Sequence, residues 1–368
     1  MIARRTLAQV LQEGTALGLV PAGIETDARA AVLAMDHEDM PWYLRVLMGG
    51  AAWVGALFLL ASGLGIVSVI LGERVDLAAL VLGIGLMPLG IALRGRKGGE
   101  LVRQSSLVCV FAGQMLLLGA IGSITDGVRA PALAAIASSL VLILLYEDGV
   151  YRFCATLLAV GSAVYLAVDA RVPYAMGAAT ALLALAPVVA WRLLPATPRW
   201  HRVLDPAAWA CALAACGLLT LQIVIDVVTG TVGFSPDFVK VLLPQPWPLT
   251  VVFVVALGWL ALRVAADHRR SPASHTTLVA IVAVCLVGGL TWSTPAITGA
   301  LLLVMLGFDR RRTGLIAVGA AFLIGFLGLY YYSLSLTLLQ KSGVLVASGL
   351  VCLAAAAFFR RHVEGVEA

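Results

Sequence analysis

Apolar stretches of about 15–26 residues follow one another from residue 46 to residue 359, and short loops between them carry most of the charge. A helix rises 1.5 Å per residue, so about 20 apolar residues cross a ~30 Å hydrocarbon core. The stretches show no period-two alternation, which the strands of a membrane barrel need. Amides in lipid have no water partner, so helices are the remaining way across. The pattern predicts an all-α protein, a polytopic transmembrane helical bundle of about 12 helices with both termini cytoplasmic.

The twelve predicted spans lie at about 46–71, 76–93, 105–124, 131–146, 153–168, 172–194, 207–228, 248–266, 277–292, 294–308, 314–333 and 336–359. Lysine and arginine resist translocation and accumulate on the cytoplasmic side. With the N-terminus inside, Arg74, Arg129, Arg171, Lys240 and Lys341 fall outside, and the other 20 of the 25 basic residues fall inside. That four-to-one bias supports an even helix number and two cytoplasmic termini. Spans 9 and 10 are short and meet at the uncharged run Thr291-Trp292-Ser293-Thr294-Pro295. They read either as two thin spans or as a re-entrant hairpin shielded by protein.

Residues 1–44 differ in pattern. Leu7, Val10, Leu11 and Leu17 suggest one amphipathic helix, and Ala31, Val32 and Met35, after a Thr26-Asp27 cap, suggest another. Six acidic residues argue against deep insertion of this segment. No apolar stretch follows Arg4-Arg5 before Glu13, so no cleaved signal is expected. The predicted organisation is a cytoplasmic N-terminal segment 1–44, a transmembrane domain 45–361 and a tail 362–368. Ala159-Val160-Gly161-Ser162-Ala163 matches Ala317-Val318-Gly319-Ala320-Ala321, which suggests a weak parallel repeat of spans 3–5 and 9–11.

Composition agrees with a membrane class. Of 368 residues, 61% are hydrophobic and 12% are charged, about half the charge of a soluble domain. The net charge of +5 is scattered over short loops and forms no nucleic-acid patch. The six cysteines lie inside apolar runs without a CxxC, the histidines show no ligand spacing, and no phosphate-binding glycine loop occurs. Catalytic residues, a metal and cofactors are therefore not predicted, and the bilayer and other membrane proteins are the expected partners.

Polar groups inside apolar spans are costly and become candidates by default. The candidate polar site is Gln114, Gln222, Asp226, Tyr331 and Lys341. Gln114 reads as interhelical glue or a substrate contact. Asp226, one turn after Gln222, reads as an interfacial carboxylate or as a proton or cation site. Lys341 either snorkels to the outer surface or pairs with a carboxylate such as Asp226. Tyr330, Tyr331 and Tyr332 form an aromatic belt or line an outward pocket. The turn at Glu147-Asp148, before Tyr151-Arg152, reads as solvated rather than as a catalytic dyad.

The C-terminal pattern Tyr331-x-x-Leu334, Leu338-Leu339, Lys341-Ser342, Leu345 and Gly349 resembles that of a bacterial inner-membrane family, the domain of unknown function numbered forty-four zero one. Ser293-x-Pro295, Gly307-Phe308 and Gly319 fit the same family loosely, so the likeness covers about residues 280–360. The resemblance implies a multi-pass protein of a Gram-negative inner membrane, encoded beside another polytopic protein of unknown function and a small membrane protein, and so a membrane complex. It implies no reaction and no catalytic residues. The readings that follow are a transporter-like or transporter-associated component, or a non-catalytic scaffold subunit.

Overall fold

The computed structural model describes residues 75–95, 100–194, 198–232, 245–267 and 274–333, together with helical positions 54, 58, 62, 65 and 69. For 100–101, 198–199, 226–232, 275–276 and 330–333 the helix path alone is described. Among these residues the chain is helical without strands. The helices are α1 Val75–Arg94, α2 Glu100–Thr125, α3 Arg129–Leu145, α4 Gly149–Asp169, α5 Ala175–Val188, α6 Pro198–Val232, α7 Pro246–Asp267, α8 His275–Leu290, α9 Pro295–Asp309 and α10 Thr313–Ser333. They coincide with predicted spans 2–11. Residues 1–44, span 12 and the tail lie outside the described residues.

Among the described residues, six helices are long and apolar enough to cross a membrane: α1, α2, α4, α5 with its terminal turn, α6 and α7. Helices α8 and α9, of 16 and 15 residues, reach only about 24 and 23 Å at 1.5 Å per residue. Helix α8 packs chiefly on α7, and α9 on α10 and then α7. The polar pause between them is a bonded turn, in which Thr291 Oγ1 donates to Val287 O at 2.7 Å and Thr294 N to Thr291 O at 2.9 Å.

The chain divides into two compact units, residues 1–116 and 117–368. In the first, α1 and the start of α2 pack through small residues. Ser106 Oγ donates to Gly90 O at 2.7 Å, and a Cβ on Gly113 would lie 2.9 Å from Gly83 O. Glycines and a serine permit this approach, as is common between membrane helices.

The second unit has two halves. In one, α4 packs on α3 and α6, and α5 on α6; in the other, α7 packs on α8 and α9, and α9 on α10. The halves meet more sparsely, through α5 with α7 and α9, and α6 with α9. Apolar residues fill that seam, among them Leu183, Ala212, Cys216, Phe253, Ala300 and Leu303. Within the second half α9 and α10 nearly touch. A Cβ on Gly307 would sit 2.9 Å from Ile316 N, and one on Gly319 would sit 3.0 Å from Val304 N. Gly161, its counterpart in the suggested repeat, has nothing within 4 Å.

Helix α6 has 35 residues and begins nine before the predicted span. Pro206 lies inside it and lacks the N–H that would bond to the carbonyl of Arg202, four residues earlier. Arg152 fills the gap: its Nη1 donates to Arg202 O at 3.2 Å, and its Nε to Ile143 O, in the last turn of α3, at 3.0 Å. The turn expected to be solvated is therefore largely buried. Asp148, 5% exposed, caps α4 by accepting from Val150 N and Tyr151 N. Tyr146 and Tyr151 meet edge to face, with ring centroids 5.2 Å apart. Glu147, Gly149 and Val150 are the exposed residues of this turn.

Candidate functional site

The seam of the second unit has a different chemistry at each end. Helix α5 ends after Pro187 in a π-turn, Val189–Leu193, closed by Leu194 N donating to Val189 O at 3.1 Å. Such wide turns are rare and often occur at functional positions. This one carries Trp191 and Arg192.

Arg192 reaches across to the other half. Its Nη2 pairs with Asp267 Oδ2, at the end of α7, and its Nη1 lies 3.4 Å from Asp309 Oδ1, at the end of α9. Arg312, in the α9–α10 loop, crosses the opposite way and pairs with Asp205 Oδ1 of α6 at 2.5 Å. Its guanidinium also stacks 4.4 Å from the centroid of the Trp191 ring. Trp191 Nε1 donates to the same Asp205 oxygen at 3.0 Å and packs edge to face on Trp209. The Arg192 and Asp309 side chains are 12% and 7% exposed. The Arg192–Asp309 pair is thus shielded from water, whereas Arg312 and Asp205 are part-exposed and Asp267 is open to solvent; together they join the two halves at one end.

The loop that supplies Arg312 breaks a local rule. Arg311 N donates to Phe308 O at 3.2 Å and Arg312 N to Gly307 O at 2.9 Å, which ends α9 in a Schellman motif. The left-handed position, φ 52°, is filled by Arg311 and not by glycine. A side chain there costs about 1 kcal/mol, so this loop keeps a charge against its backbone preference.

At the other end α5 and α7 begin, and a cleft of about 360 Å³ opens between them. Tyr174, Gly177, Ala178 and Ala181 line one wall, and Gln245, Trp247, Leu249 and Val252 the other. Trp247 is braced by stacking on Trp292 at 5.9 Å and by donating to Gln245 Oε1 at 2.7 Å. Thr250 Oγ1, donating to Trp292 O at 3.1 Å, ties α7 to the α8–α9 turn.

Of the predicted polar residues, Gln222 has a defined role. Its Nε2 donates to Thr180 Oγ1 of α5 at 3.0 Å, and Thr180 donates on to Met176 O at 2.7 Å. Asp226 follows one turn later along α6, towards the cleft end, and its helix path alone is described. Gln114 is 1% exposed in α2 and belongs to the first unit. Tyr331 lies on the last turn of α10, and Lys341 lies outside the described residues. No group of three or more His, Cys, Asp or Glu side chains among the described residues is arranged to hold a metal.

The charged cluster was not foreseen from the sequence. Its arginines served there only to orient the chain. The available signal was that Asp205, Asp267 and Asp309 each stand at the end of an apolar span on the arginine-rich side.

Apolar helices long enough to span, packed through small residues and holding few polar groups between them, define a multi-pass helical membrane protein. The chain belongs to the family described as Domain of unknown function (DUF4401), whose family model matches residues 41–362. No curated protein and no solved structure is significantly similar to it.

Proposed function

We propose that this chain is a transporter-like component of a bacterial inner membrane, with about twelve spans and both termini in the cytoplasm. One observation carries the reading: two helical halves meet along a seam that ion pairs close at one end and a cleft opens at the other. Transport by alternating access needs two bodies that rock about a shared site. Gln222 bonds to Thr180 of the neighbouring α5, and Asp226 follows one turn on along α6 towards the cleft end; these are the polar positions of α6 that a solute or coupling ion would meet. The arginine bias supports a cytoplasmic clasped end and an outward-facing cleft.

The test is flux of candidate solutes and of protons into liposomes that contain the purified full chain. Flux that depends on Asp226, and falls in Asp226→Asn and Lys341→Ala, supports the proposal. Absence of flux, with both variants silent in cells and a stoichiometric partner recovered from native membranes, replaces it with a scaffold role.

A further inference from the structure

We infer that the cluster of Trp191, Arg192, Asp205, Asp267, Asp309 and Arg312 is a latch that opens and closes one end of the seam, with Arg192 as its pivot. The inference rests on the two-body reading above but not on any particular solute.

The first ground is where the bonds run. Arg192 to Asp267, Arg192 to Asp309 and Arg312 to Asp205 all join one half to the other, as does the stacking of Arg312 on Trp191. A cluster that served only to hold a half together would bond within it. The second is the chemistry. The Arg192–Asp309 pair is shielded, and such a pair repays its desolvation poorly compared with apolar packing, its best-attested use being to specify or switch an arrangement. The third is imperfect geometry. Asp309 Oδ2 and Arg310 Nε form a buried ion pair at 3.2 Å but make no hydrogen bond. Arg192 is shared between two acids, one of them at 3.4 Å.

The mechanical parts are also present. Helices α9 and α10 touch backbone to backbone at Gly307 and Gly319, so they move together. Their loop, Asp309–Arg312, is the arm that engages the latch. The π-turn after Pro187 is the other jaw, a local departure from α-geometry that a small change in hydrogen bonding can rewind. When the latch parts, Arg192 and Arg312 exchange carboxylates for water at the membrane face, and the α7–α10 half swings away from α3–α6.

The test uses the full chain in lipid nanodiscs, with the six native cysteines replaced by alanine and spin labels on Leu193→Cys and Arg311→Cys. Electron–electron distance measurement then reads the gap. The latched protein gives one short distance. Arg192→Gln raises the longer-distance population by roughly fivefold or more, the scale of a coupling that biases two states. Asp205→Arg does the same, and adding Arg312→Asp returns the short distance; Arg312→Gln replaces Asp205→Arg if that variant does not fold. A distance unchanged in Arg192→Gln and Arg312→Gln, with only the melting temperature lowered, makes the cluster a fixed tie and overturns the inference. Unlatching without flux of any solute keeps the latch and removes the transporter reading; flux with an unchanged distance does the reverse.

Discussion

Arg152 offers a prediction whose sign is set by a proline fifty-four residues away. The guanidinium completes two carbonyls that the helices leave open: Ile143 O because α3 is ending, and Arg202 O because Pro206 has no N–H to give. Arg152→Ala orphans both. A hydrogen bond from a charged donor contributes about 1.5–3 kcal/mol, and both bonds are part-buried, so the variant loses roughly 2–5 kcal/mol. Pro206→Ala supplies the missing N–H to Arg202 O. Alone it changes little, because the carbonyl already has a partner. Combined with Arg152→Ala it recovers the α6 bond, so the double variant is more stable than the sum of the singles by about 1–2 kcal/mol. The assay is reversible unfolding of the four proteins in mixed detergent–SDS micelles, read by tryptophan fluorescence. Additivity within about 0.5 kcal/mol refutes the claim that Arg152 stands in for the proline's absent donor.

Other predictions concern packing and caps. Gly319→Ala and Gly161→Ala gain the same helix propensity, so the difference between their unfolding free energies isolates the contact of the new Cβ with Val304 N, about 1–3 kcal/mol; equal stabilities contradict the close α9–α10 crossing. Gln222→Leu and Thr180→Val each lose the bond that joins α5 and α6, about 0.6–2 kcal/mol, and a double-mutant cycle in the same unfolding assay gives a coupling near that size if the two side chains bond as described. Asp148→Ala removes the cap of α4 and lowers stability by about 1 kcal/mol, while Asp148→Asn retains most of it. Arg311→Gly relieves the left-handed backbone and stabilises the chain by about 1 kcal/mol; no gain on thermal unfolding means the loop relaxes without it.

The helices were legible because lipid solvent leaves few choices. Val75–Arg94 against a predicted 76–93, and Thr313–Ser333 against 314–333, show how far length and hydropathy alone locate a span. Helix α6 was underestimated because its first turns, Arg199 to Asp205, are polar and amphiphilic, so hydropathy gave no reason to extend the helix across them. Gln222 stood out as a polar residue in an apolar run, but its partner Thr180 is 42 residues away and hydroxyls are common in membrane helices. The latch was invisible for a related reason. Each of its acids is an ordinary span-end residue until the ends of α5, α6, α7 and α9 are brought together. Arg152 was misread as a loop charge because its burial depends on carbonyls of two other helices.

Whether the two halves rock about the seam is tested most directly by one paired measurement. Spin labels on Leu193→Cys and Arg311→Cys report the latched end, and labels on Val172→Cys and Val251→Cys report the cleft end, each pair with and without Arg192→Gln. Rocking predicts opposite changes: the latch-end distance lengthens while the cleft-end distance shortens. Two ends that lengthen together, or a cleft end that does not move when the latch parts, contradict it.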